Sequence, residues 1–172
     1  MTVYIGLGGN LGDVLQAFRV ALAALGSRGV EVEEVAAAFR TAAVVPEGCN
    51  EDVPDYWNSV ARATTRLSPR ALLELLLALE AEGGRERGER WRSRPLDLDL
   101  LLYGDRVIHE PGLVVPHPEI VRRAFVLRPL CELDPEVPVP NTGRSAGALL
   151  AALADRDAGV LYRLTGWRRP PG

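Results

Sequence analysis

The sequence contains no lysine; all 20 of its basic residues are arginine. A biased genome composition or a hot habitat would each produce that pattern. Cysteine is scarce too. Cys49 and Cys131 are too few and too far apart for a disulfide framework or a zinc site, and two unpaired thiols fit a reducing cytosol. There is no excess of positive charge: the net charge is -3, which argues against a general nucleic-acid binder. No run of about 18 apolar residues occurs, so no membrane span is expected. The start, MTVYIGLGGN, lacks the basic lead and long apolar stretch of a secretory signal, and a cytoplasmic protein is expected. Repeats and long flexible linkers are also missing. What remains is a chain of 172 residues, 47% hydrophobic and 25% charged, enough for one domain spanning 1–172 with a proper core.

Hydrophobic periodicity orders the chain. TVYIGLG (2–8) reads as a strand ending in glycines. Val14, Leu15, Phe18, Ala21, Leu22 and Leu25 recur at helical spacing, and Gly26 to Gly29 should end that helix. Residues 30–42 partly alternate and read as one strand, 43–55 as an acidic, proline-containing loop, and 56–67 as a second alternating strand. Ser68 caps a helix with Pro69 at its first position, ending at Gly83-Gly84. An arginine-rich loop (85–95) leads into a strand at 96–103, a turn at Gly104-Asp105 and a short strand near Val107-Ile108. A short helix after VPHPEI, a proline-interrupted tail, a helix at 145–156 and a short strand at 160–166 complete the chain. The order βαββαβ predicts an α+β, ferredoxin-like sandwich with extra C-terminal helix and strand elements, another α/β sandwich being the alternative.

Chemistry concentrates in RWRSRPLDLDLLLYG (90–104). Strand alternation puts Leu96, Leu98, Leu100 and Leu102 on one face and Asp97, Asp99, Leu101 and Tyr103 on the other. Two carboxylates two residues apart can share hard cations, and magnesium takes one or two carboxylates with water and phosphate oxygens. Alone, the pair reads equally well as solvated acids. Arg85, Arg87, Arg90, Arg92 and Arg94 fall within ten residues just before it. Their guanidinium forks match phosphate oxygens, although an isolated charge run is more often a solvated loop. Tyr56 and Asn58 share a strand face, as a ring and an amide that suit a flat heterocycle or, equally, as core and turn residues. His117, between two prolines, is placed to donate to a phosphate or to sit at the surface. GLGGNLGD (6–13) matches neither the P-loop nor the dinucleotide fingerprint and reads as a tight turn.

Together these segments resemble the 6-hydroxymethyl-7,8-dihydropterin pyrophosphokinase family of folate biosynthesis. RWRSRPLDLDLLLYG is similar to its long L-D-L-D hallmark. YIGLGGNLGD, PDYWN (54–58) and VPHPEIVRRAFVLRPLCELDP (115–135) match further blocks in the same order. The resemblance implies transfer of a diphosphoryl group from ATP to the pterin's hydroxymethyl oxygen. Asp97 and Asp99 would hold two magnesium ions, and Asp97 would also help accept the hydroxyl proton. It implies a catalytic role for Arg85 and Arg94 beside the acids. Tyr56 and Phe125 would sandwich the pterin, Asn58 would read its edge, and groups at Thr41 and Ala43 would add hydrogen bonds. Glu80, Arg85, Arg87, Trp91, Arg94, Leu100, His117 and Arg123 would line the ATP site. The implied partners are ATP and a reduced pterin alcohol, with no nucleic acid, no membrane and no obligate protein partner. A monofunctional enzyme is expected, the chain being too short for fusion to a second folate enzyme. Gly9 stands where the family has serine, Arg92-Ser93 where it has Gly-Pro, and Gly88 and Gly112 where it carries basic residues. The rivals are a ferredoxin-like metabolite-binding module without catalysis and a magnesium-dependent nuclease.

Overall fold

The computed structural model describes residues 1–42, 54–84, 94–153 and 160–167. β1 (Thr2–Gly9) leads into α1 (Val14–Ser27), whose N-terminus is capped by Asp13 accepting from Gln16 N at 3.0 Å. β2 (Val30–Val35), β3 (Ala38–Thr41) and β4 (Tyr56–Thr65) come after it. α2 (Pro69–Glu82) begins as the sequence predicts, with Ser68 Oγ accepting from Ala71 N at 3.2 Å. Next come β5 (Asp97–Tyr103) and a hairpin of β6 (Ile108–Glu110) and β7 (Leu113–Val115). A 3-10 turn (Ile120–Arg122) precedes α3 (Ala124–Leu133), and the two-residue strands β8 (Pro138–Val139) and β9 (Arg144–Ser145) lead to α4 (Ala146–Leu153) and β10 (Val160–Leu164). None of the helices among the described residues is long and apolar enough to cross a membrane.

The main sheet is antiparallel, in the order β10-β3-β4-β1-β5, with β2 also paired to β4. Counting β2 and β3 as one broken strand gives the ferredoxin-like arrangement, with the first strand between the third and fourth, and β10 extends it at one edge. The single strand expected over 30–42 is thus two. Val30–Val35 pairs with the far half of β4, and Phe39–Thr41 pairs with its start. Between them the backbone leaves the ladder, because Ala37 N donates to Glu132 Oε2 on α3 at 2.9 Å. The strand expected to reach residue 67 stops at Thr65, whose hydroxyl donates to Gly29 O and accepts from Leu67 N. At the same end Met1 is fixed: its ammonium donates to Thr65 O at 2.9 Å, and its carbonyl accepts from Thr65 N at 3.0 Å.

Both faces of the sheet are covered. α1 and α2 bury Phe18, Leu25, Leu72 and Leu76 against Val3, Ile5, Leu7, Leu98 and Leu100. α3 and α4 bury Leu127, Leu130 and Leu149 against Tyr4, Val60, Leu101 and Leu102. The even alternation expected along 96–103 therefore holds through Leu101 and fails from Leu102. A bulge against β1, between Tyr4 and Ile5, inserts Leu101 as an extra residue. The bulge reverses the rest of the strand, so Leu102 joins the α3 side and Tyr103 the α2 side. The expected short helix is α3, which runs through Pro129 and gives up one helical hydrogen bond while the ring is buried, and the expected proline-interrupted tail follows it from Asp134. The β6–β7 hairpin had no clear sequence signal beyond Val107-Ile108. Its turn places Gly112 at φ 73°, a conformation that strains the arginine expected near there.

Candidate active site

Strand register builds one end of the α3-covered face into a platform. Gly8 pairs with Asn58 on β4 and with Asp97 on β5, while Gly6 pairs with Val60 and Asp99. Phe39 and Thr41 on β3 pair with Asn58 and Tyr56. Antiparallel partners point to the same side, so Thr41, Tyr56, Asn58, Gly8, Gly6, Asp97 and Asp99 share one face. Two carboxylates stand at one side, an amide and a phenol at the other, and between them β1 offers no side chain. A Cβ built on Gly8 would lie 3.6 Å from Asp97 Cβ and 3.7 Å from Asn58 Oδ1. The gap between the acids and the amide is about one methyl group wide at its floor.

The polar groups around this floor are ordered. Asn58 is buried and donates from Nδ2 to Thr41 Oγ1 at 3.0 Å, which leaves its Oδ1 facing the floor above Gly8. Arg94 donates from Nη1 to Asp97 Oδ1 at 2.8 Å, both side chains being about one-third exposed. The His117 backbone N donates to Leu101 O at 3.0 Å, and its Nδ1 accepts from Glu119 N at 3.2 Å. The neutral ring therefore carries its proton on Nε2, which lies 3.8 Å from Asp99 Oδ1. Arg123 and Phe125 lie at the start of α3 on this side of the sheet, with the guanidinium 5.8 Å from the Phe125 ring centroid.

Two expected nucleotide residues face the other way. Glu80 is 2% exposed, and its Oε1 accepts from Leu98 N at 2.7 Å, so it acts on the strand between the two aspartates. Leu100 buries its side chain in the α1–α2 core, leaving only its main chain for a ligand. Ala43, Arg85, Arg87 and Trp91 lie outside the described residues, as do Arg92-Ser93 and Gly88. Sequence reasoning missed the role of Gly6 and Gly8, although their two-residue spacing on a strand was the available signal. It also assigned no role to Asn10, although that residue lies within the YIGLGGNLGD block.

Among the described residues no group of three or more His, Cys, Asp and Glu side chains could cage a metal ion. The donor set among the described residues is two carboxylates with hard oxygens, with Arg94 and His117 beside them. That suits magnesium, which keeps water and takes its remaining ligands from phosphate.

Residues 4–135 match the model of 7,8-dihydro-6-hydroxymethylpterin-pyrophosphokinase. A Synechocystis 2-amino-4-hydroxy-6-hydroxymethyldihydropteridine pyrophosphokinase is 42% identical over 142 residues, covering 82% of this chain and 70% of that protein. The Pseudomonas aeruginosa enzyme of the same name is 40% identical over 155 residues, covering 87% and 90%. In three dimensions the chain superposes on a Plasmodium falciparum HPPK-DHPS structure with a TM-score of 0.71 at 12% identity. That match covers 90% of this chain but only 43% of the longer one, and supports the fold.

Proposed function

The chain belongs to the 7,8-dihydro-6-hydroxymethylpterin-pyrophosphokinase family, and from that membership we propose how its residues divide the reaction. The enzyme moves the diphosphoryl group of ATP onto the hydroxymethyl oxygen of 6-hydroxymethyl-7,8-dihydropterin, giving AMP and the pterin diphosphate in folate biosynthesis. The oxygen forms its bond to the β-phosphorus as the bond from that phosphorus to the α–β bridging oxygen breaks. The electron pair leaves with AMP, and the hydroxyl proton passes to a carboxylate oxygen of Asp97.

Asp97 and Asp99 hold magnesium, two ions in this proposal, which supplies neutralisation of the polyphosphate and of the charge that builds in an in-line transfer. Asn58 reads the pterin edge through Oδ1, since its Nδ2 is committed to Thr41. Tyr56 and Phe125 hold the faces of the ring, and Thr41 and Ala43 add hydrogen bonds. Arg94 already stands one hydrogen bond from Asp97, beside the place where phosphate charge would gather. His117 donates from Nε2 on the same side. Arg85, Arg87, Trp91, Arg123 and the main chain at Leu100 complete the nucleotide site. Glu80 contributes by fixing Leu98. Catalysis is then mostly positioning and electrostatics on a rigid sheet.

The observation that carries this reading is the row Asn58–Gly8–Asp97 with Gly6–Asp99 beside it. It puts the proposed heterocycle reader and the proposed metal-binding acids on opposite sides of the Gly8 floor, which supports a reading in which a hydroxymethyl group and a phosphate meet there. The test is to mix protein, ATP, magnesium and the reduced pterin alcohol and follow products by phosphorus NMR. AMP and a pterin diphosphate are expected. ADP with a monophosphorylated pterin would refute attack at the β-phosphorus, and tight pterin binding without turnover would favour a binding module.

A further inference from the structure

Asn10 comes directly after β1 and is 5% exposed. Its backbone N donates to Arg94 O at 2.9 Å, and its side-chain Oδ1 accepts from Arg94 N at 2.8 Å. Its Nδ2 donates to Pro54 O at 3.3 Å. The amide orientation is set by the partners, because Arg94 offers an N–H and Pro54 offers only a carbonyl. Pro54 lies two residues before β4, which carries Tyr56 and Asn58. Arg94 lies three residues before β5, which carries Asp97 and Asp99. One buried side chain thus ties together the entries to both sides of the site. The neighbouring residue is closely packed: a Cβ on Gly9 would stand 2.6 Å from Pro95 O and 2.9 Å from Val14 Cγ1. On this backbone a side chain there would require Pro95 or Val14 to shift.

We propose that Asn10 is a positioning residue that sets the spacing between the pterin side and the metal-phosphate side of the site. The inference rests on the proposed function for the identity of the two sides. Each half of the amide serves one side: Oδ1 holds the Arg94 stem and Nδ2 holds the Pro54 stem. Asn10→Asp keeps an acceptor for Arg94 N but sets a carboxylate oxygen against Pro54 O. Asn10→Ala removes both ties.

The test measures equilibrium binding of a non-hydrolysable ATP analogue with magnesium, and separately of the pterin alcohol, to the full chain. Amide hydrogen exchange at Arg94 is read alongside. Asn10→Asp is expected to leave nucleotide affinity within about twofold and to weaken pterin binding about threefold to tenfold, the range for one lost hydrogen bond. Asn10→Ala is expected to weaken both ligands and to lose protection at the Arg94 N–H. A residue that merely supported the fold would move both affinities together in Asn10→Asp, and that result would overturn the proposal. Unchanged affinities in Asn10→Ala would overturn it as well. If Asn10→Ala does not fold, the split in Asn10→Asp decides alone. If the wild type binds neither ligand, the functional reading falls. Exchange at Arg94 then judges the tie itself, and unchanged protection in a folded Asn10→Ala refutes it.

Discussion

Two adjacent glycines in β1 should respond in opposite ways to the same added methyl group. At Gly8 a Cβ meets nothing closer than 3.6 Å, and the backbone is not in the left-handed region. Gly8→Ala should therefore fold normally. The loss of unfolded-state freedom should raise stability by up to about 1 kcal/mol, or about 2–4 °C in Tm for a domain of this size. The same methyl stands between Asp97 and Asn58, where the reacting groups are proposed to meet. Displacing them by about 1 Å costs on the order of 100-fold in rate, equivalent to about 2.7 kcal/mol of barrier. At Gly9 the methyl would lie 2.6 Å from a backbone carbonyl and 2.9 Å from Val14, so the chain must shift, and Gly9→Ala should lose about 1–3 kcal/mol of stability. Urea denaturation and kcat/KM on the two purified variants read both quantities. A Gly8→Ala enzyme within threefold of wild-type kcat/KM would refute the bare-floor argument, and so would a Gly8→Ala protein that fails to fold.

Asp97→Ala and Asp99→Ala should each cut turnover far more than pterin affinity; near-normal rates in either, measured by AMP release, would remove the metal-ligand role. Trp167 is 4% exposed, packs edge-on to Phe18 with centroids 5.6 Å apart and donates from Nε1 to Ala36 O. Trp167→Ala should cost about 3–5 kcal/mol, read as a lower urea midpoint with little change in KM for either substrate. Burial, with the Asp134 carboxylate adding to it, pushes the Tyr4 phenol above its ordinary pKa. The folded state therefore holds that proton longer than the unfolded chain. Stability is full below the unfolded value, near 10, and falls as pH rises toward the folded one. Tyr4→Phe should lessen the loss of stability on the alkaline side, and equal alkaline profiles for the two proteins would contradict the assignment.

Much of the fold was legible because local signals agreed with each other. Ser68-Pro69 and Gly83-Gly84 bracket α2, and the Asp97/Asp99 alternation correctly put both carboxylates on one face. The failures came where a distant partner decided. Glu132, on a helix 95 residues further along, takes the Ala37 N–H and breaks the strand. A bulge set by β1 reverses Leu102 and Tyr103. In the site, Asp97, Asp99, Tyr56 and Asn58 were visible as spacing. Glu80 was placed near the nucleotide by the resemblance alone; that its Oε1 accepts from Leu98 N, 18 residues away on a strand, was not visible as spacing. The role of Asn10, although it sits in the quoted YIGLGGNLGD block, was not legible because its meaning lies in Pro54 and Arg94, which approach it only after the sheet has formed.

The fixed N-terminus has a practical use. Met1 is clamped to Thr65 at the end of β1 opposite Gly8. Seven residues of extended chain at ~3.3 Å each put it roughly 23 Å from the glycine floor. A purification tag or a surface-coupling handle attached there would leave from the back of the sheet. The protein could then be immobilised from the strand end distant from the Gly8 floor.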